Sequence, residues 1–203
     1  MLDIADRLIV IIGGGNVAAR KAAGALDAGA KHVRCVAPHF CDELPDTVER
    51  IRRGYCSGDL AGAGLVFAAT DDRAVNDAVV RDARAMGVLM NRADGNADEP
   101  GDFSTPAKFT EGSVIITVSA GSAALSAAIR DDLARRLDRR FVRMADAMQL
   151  LRPAVRASRL APDRRAQVFR DLAGDDALNI LEADGMDALR GWLQSRHPEL
   201  THA

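Results

Sequence analysis

Two short stretches of this chain carry residue types that could do chemistry together. Gly13-Gly14-Gly15-Asn16-Val17-Ala18 follows the apolar run Leu8 to Ile12 directly, a G-x-G-x-x-A pattern between a strand and a helix. Gly13 permits a tight turn, Gly15 lets backbone approach a pyrophosphate, and Ala18 allows a helix to pack closely on a sheet. The helix start adds free amides and a positive dipole. Those are the requirements for holding a dinucleotide, so Gly13, Gly14, Gly15, Asn16 and Val17 are read as cofactor contacts, with a merely structural turn as the bland alternative. Asp94 lies just past another apolar run, Val88 to Met90. Ligands of open α/β sheets bind outside the carboxyl ends of the strands, which puts Asp94 beside the cofactor. Its other reading is an Asx-turn before Gly95.

The run Val33 to Ala37 should end in an acid that binds the ribose hydroxyls, but Pro38-His39-Phe40 follows and the first acid is Asp42. Ribose recognition then falls to backbone around Ala37 and Pro38 or to the His39 side chain. Arg34 is either a 2′-phosphate partner or a solvated strand residue, so NAD is expected with NADP left open. Thr70 and Asp71, just past Leu65 to Ala69, are assigned to the cofactor rim, and Asp71 or Asp72 also suits the N-cap of the next helix. Arg20 and Lys21, one turn into the first helix, either reach a phosphate or a substrate carboxylate or form a solvated face.

These residues need a scaffold, and its outline is visible. Strand-length apolar runs at Leu8 to Ile12, Val33 to Ala37, Leu65 to Ala69, Val88 to Met90 and Val114 to Val118 alternate with helical stretches at 16–28 and 72–86. Buried parallel strands read as continuous Val/Ile/Leu runs, so the expectation is an α/β fold with a Rossmann-type parallel sheet. Residues 91–112 are an irregular excursion rich in Gly, Pro and small polar residues, of a length usually functional. Beyond Ser122 the chain turns all-α, with helices expected at 122–137, 141–151, 163–172 and 176–194, punctuated by Pro153 and Pro162.

Composition excludes several classes. The 203 residues suffice for one α/β core and a smaller appendage, and a net charge of -2 implies no global attraction to nucleic acid or to an anionic membrane. An acidic N-terminus before a short apolar run is unlike a secretory signal, and the expectation is a cytoplasmic protein with no membrane partner. Cys35, Cys41 and Cys56 form no CxxC pair and the four histidines are dispersed, so neither a disulfide framework nor a protein metal site is expected.

Five ordered motifs go beyond a generic dinucleotide fold. They are Gly13 to Lys21 (GGGNVAARK), Ala68-Ala69-Thr70-Asp71-Asp72 with Asn76, Asn91-Arg92-Ala93-Asp94, Phe103 to Ala107 (FSTPA), and Ile115 to Gly121. Together they resemble the precorrin-2 dehydrogenase family of sirohaem synthases, whose GGGxVAxRK, ATDDxxxN, NxxD, FxxPA and IxxSxG elements they match over about residues 1 to 137. The resemblance implies NAD-dependent oxidation of precorrin-2 to sirohydrochlorin. In some members it also implies chelation, with ferrous or cobaltous ion as a substrate. It implies Asp94 as the catalytic aspartate, with Asp98 and Asp102 as competitors because the following stretch is longer than the family's. It further implies a homodimer and a division into a Rossmann domain (1–112), a dimerisation segment (113–145) and a helical C-terminal domain (146–203).

Lys108, Arg92 and Arg130 are candidates for the substrate's carboxylates by location, while Glu111 stands where members commonly carry an Arg. Ser119 and Ser122 are read as structural. The alternatives carried alongside are a chelatase without dehydrogenase activity and a non-catalytic dinucleotide-sensing module.

Overall fold

The computed structural model describes residues 2–94 and 101–202 and forms two compact units, Met1–Thr105 and Pro106–Ala203. In the first, β1 (Leu8–Ile12), α1 (Asn16–Asp27), β2 (His32–Val36), β3 (Glu49–Ile51), β4 (Ala63–Ala68), α2 (Arg73–Met86) and β5 (Leu89–Arg92) follow one another. The five strands are all parallel in the order β3-β2-β1-β4-β5. The α/β, Rossmann-type expectation therefore holds. β1 is central, and its side chains alternate between two cores. Ile9 and Ile11 meet the alanines of α1 (Ala18, Ala22, Ala25) on one face, and Val10 and Ile12 join Val79, Val80 and Ala83 of α2 on the other. Alanine along α1 lets that helix sit close to the sheet while losing no side-chain entropy. The chain leaves β1 toward β2 and β3 and later returns to β1's other side with β4. The carboxyl ends of β1, β2 and β4 thus frame the switch point where such sheets bind ligands.

The second unit begins with an antiparallel hairpin, β6 (Ala107–Glu111) and β7 (Val114–Val118), followed by α3 (Ala123–Arg136), α4 (Arg139–Ala157), α5 (Pro162–Leu172) and α6 (Asp175–Arg196). Val114–Val118 therefore does not join the parallel sheet. Gly112, with φ of +50°, turns the chain back so that Glu111 pairs with Val114, and the strand spends its hydrogen bonds on β6. Met144, Leu151, Val155, Val168, Leu172, Leu178 and Leu189 form the helical core. Pro153 does not end a helix as expected but sits inside α4. An interior proline costs about 3 kcal/mol, yet Met144, Ala147, Leu151 and Val155 bury on both sides of it and keep the helix running. Gly185, at φ of +80°, kinks α6. Among the described residues no helix is long and apolar enough to cross a membrane.

Asp72 is the residue that starts α2. Its Oδ1 accepts hydrogen bonds from the amides of Ala74 (2.9 Å) and Val75 (3.2 Å). Asp72→Ala should lower stability by about 1 kcal/mol, read as a lower thermal midpoint, whereas Asp72→Asn, which keeps an acceptor there, should lose much less.

Candidate functional site

A cavity of about 890 Å³ opens at the carboxyl edge of the parallel sheet. The turn after β1 contributes Gly13, Gly14, Gly15, Asn16 and Val17, the end of β2 contributes Ala37, Pro38 and His39, the end of β4 contributes Thr70 and Asp71, and Asp94 follows β5. The glycine loop, the residues after β2 and β4 assigned to the cofactor, and Asp94 thus line one cavity.

The three glycines do different work. Gly13 has φ of +137°, and a Cβ there would lie 2.3 Å from the Ala69 carbonyl oxygen. A Cβ on Gly14 would lie 1.9 Å from the His39 carbonyl oxygen. Both positions are closed to any side chain by neighbouring backbone. Gly15 is different, because a Cβ there would meet no protein atom within 4 Å. Gly15 is also the N-cap of α1, no side chain caps that helix, and its first turn holds no acid. Its first amides have no acceptor within the helix, so they and the dipole suit a pyrophosphate.

At the ribose end, Asp42 is not among the lining residues. Arg34 donates to Glu49 of β3 at 2.8 Å, a pairing across the sheet edge. Lys21 is also engaged. It donates to the Thr105 hydroxyl and lies over the Phe67 ring at 5.6 Å, and its pKa is lowered by burial and then by Arg20.

Asp94 ends in a network that sequence reasoning did not anticipate. Arg92 Nε and one terminal nitrogen donate to its two carboxylate oxygens at 2.6 and 2.8 Å, and Asn76 Nδ2 donates at 2.9 Å. The other terminal nitrogen of Arg92 is 2.7 Å from Asp77 on α2. The Arg92 side chain is 1% exposed, so it cannot reach for a substrate carboxylate as expected; it is committed to the protein's own acids. Its hydrogen bond to Asp94 holds it charged, well above the ordinary guanidinium range, against the opposing effect of burial. Asn76 is fully buried; its Oδ1 accepts from the amide (3.2 Å) and the hydroxyl (2.8 Å) of Thr70, and its Nδ2 donates to the Thr70 carbonyl at 3.0 Å. Asp102 does not compete for the site. It accepts from the Met90 amide at 2.9 Å and its own amide donates to the Met90 carbonyl, so it caps the open edge of β5. Asp98 lies outside the described residues.

The cavity also has walls that had no sequence signal, Gly54 and Tyr55 beyond β3 and Val75 on α2. Tyr55 donates to Asp82 at 2.7 Å, and burial followed by that hydrogen bond keeps its phenol protonated, well above the usual range. Neither Lys nor Arg is among the described residues lining the cavity. Lys108 is exposed on β6 and Arg130 on α3 pairs with Asp131, both in the second unit. Among the described residues no three His, Cys, Asp or Glu side chains gather as a metal site.

Comparison with known proteins agrees with this geometry. Residues 1–107 match a protein family described as "Putative NAD(P)-binding". A siroheme synthase from Nitrosospira multiformis is 33% identical over 206 residues, covering 95% of this chain and 43% of the relative. One from Ectopseudomonas mendocina is 41% identical over 118 residues, covering 57% of this chain and 25% of the relative. The chain thus spans less than half the length of these curated relatives. Among solved structures, "SirC, precorrin-2 dehydrogenase" superposes with a TM-score of 0.74 at 22% identity, covering 96% of this chain and 98% of the other, a likeness of fold.

The glycine roles separate experimentally. Gly14→Ala forces a methyl into the His39 carbonyl and should cost about 1–3 kcal/mol of stability, seen as a lower thermal midpoint. Gly15→Ala should leave that midpoint nearly unchanged, yet weaken nicotinamide dinucleotide binding by about tenfold or more in calorimetric titration, since a single added carbon in a tight site is worth that much.

Proposed function

This chain belongs to the NAD(P)-binding family, with siroheme synthases among its relatives, and on that premise we propose that it oxidises precorrin-2 to sirohydrochlorin with NAD as acceptor. The observation that carries the reading is the placing of Asp94 in the same cavity as the glycine loop. The oxidation removes a hydride and a proton from the macrocycle. A nicotinamide dinucleotide held in this cavity would supply the hydride acceptor. The first amides of α1 and Gly15 would hold its pyrophosphate, Ala37, Pro38 and His39 its ribose, with Thr70 and Asp71 at the rim. Asp94, held as a carboxylate by Arg92 and Asn76, takes the proton. NAD is favoured over NADP because Arg34, the cation on β2, is spent on Glu49. The same reading makes the enzyme cytoplasmic, since its oxidant is drawn from the intracellular nicotinamide pool.

Chelation extends the proposal. A macrocycle taking up ferrous or cobaltous ion must release two pyrrole protons, and the Asp94 carboxylate, 24% exposed, would accept them one at a time and pass each to solvent. Homodimer formation extends it further. Leu125, Ile129 and Leu133, spaced i, i+4 and i+8 on one face of α3, are 51%, 37% and 42% exposed, an apolar stripe suited to a second copy of this chain.

Anaerobic precorrin-2 with NAD, followed by nicotinamide absorbance, tests the central reading. Wild type should reduce the cofactor, NAD should outperform NADP, and Asp94→Asn should lower kcat by about 100-fold or more. A wild-type protein that binds NAD and leaves precorrin-2 unoxidised would refute the assignment, and loss of sirohydrochlorin metal insertion in the same variant would extend it. Light scattering tests the assembly: Ile129→Glu should convert a dimer to monomers, and an unchanged mass would exclude that stripe as the interface.

A further inference from the structure

The buried guanidinium of Arg92 is not directed at any ligand. Arg92 is buried between two carboxylates on different elements, Asp77 of α2 and Asp94 beyond β5, and grips Asp94 with two parallel hydrogen bonds. We propose that Arg92 is a positioning residue for the reaction, a single cation shared by two acids, which fixes the plane of the Asp94 carboxylate and sets the pH at which that carboxylate can take a proton. The proposal rests on the reading of Asp94 as the base.

The geometry supports this in two ways. A guanidinium bonded through Nε and a terminal nitrogen matches a carboxylate in one orientation only, which a lysine cannot reproduce. With Asn76 also bonded to Oδ2, the carboxylate is held by two buried side chains from different elements. The sharing then sets the charge balance. An adjacent cation lowers a carboxylate's proton affinity and an adjacent anion raises it. Arg92 acts directly on Asp94, while Asp77 draws part of Arg92's field away. Asp71 and Asp72, on the β4 to α2 connection, add negative charge along the same cavity, and His39 faces it from the end of β2. Among the described residues, Arg92 is therefore the cation bonded to the base, and Asp77 is the acid that shares it.

Removing the two partners should move the enzyme in opposite directions, which a purely structural role would not do. The rate needs Asp94 ionised, so kcat/KM rises with pH through the carboxylate's titration. In Arg92→Met that acid limb should move up by about one pH unit or more. In Asp77→Asn it should move down by a smaller amount, with NAD affinity unchanged by calorimetry in both. Arg92→Lys should lie between wild type and Arg92→Met, with a loss in kcat rather than in KM. If Arg92→Met does not fold, the Asp77→Asn and Arg92→Lys profiles decide the matter. Profiles that superimpose on wild type would overturn the proposal while Asp94→Asn remained inactive. Full activity in Asp94→Asn would instead overturn the assignment of the base itself.

Discussion

The site exists because three stretches of backbone come closer together than side chains would allow. Gly13 lies against the carbonyl of Ala69 and Gly14 against that of His39, each at a distance where a Cβ would overlap the oxygen. That approach lets the sheet ladder continue past the strands. The Gly13 amide bonds Val36, the Ala69 amide bonds Ile12, the Cys41 amide bonds Gly14 and the Ala93 amide bonds Ala68. The loops that line the cavity are therefore stitched to the sheet rather than free above it. Gly15 can be left open to a ligand because its two predecessors absorb the packing.

A second constraint links the loops to the acid. The Asn76 side chain accepts two hydrogen bonds from Thr70 and donates one to Thr70 and one to Asp94, using its full capacity inside the core. Aspartate at that position would keep the acceptors, lose both donors and add a buried charge against Asp94. Asn76 thus ties the loop after β4 to the carboxylate after β5 through a side chain of α2.

Much of this was legible in the sequence, for identifiable reasons. Continuous apolar runs announced β1 and β4 because both are buried on both faces, shorter runs announced β2 and β5, and the glycine loop announced the switch point. The three-residue β3 was invisible, since Glu49, Arg50 and Ile51 lie at the sheet edge and carry little apolar signal. Ala107–Glu111 was missed because its strand faces are only half-buried and the flanking prolines read as loop. Pro153 misled because local rules end helices at proline, while the buried row through Val155 overrides that cost. The position of Asp94 was readable from its place after a strand, but its partners were not. Arg92 is only two residues away, but Asn76 meets Asp94, and Asp77 meets Arg92, only once α2 folds back over β5.

Charge gives the site its remaining logic. The described residues lining the cavity include Asp71, Asp72 and Asp94 and neither Lys nor Arg. A guanidinium placed in the cavity wall would be open to the anionic groups of a ligand. Here the cation is buried behind the acid, where Arg92 balances Asp94 and Asp77 and offers nothing to a ligand. The anionic groups of a ligand in this cavity would then meet the free amides at the start of α1 rather than a side-chain cation among the described residues. Anion binding and the orientation of the Asp94 carboxylate thus fall to different groups, the helix N-terminus for the one and Arg92 with Asn76 for the other.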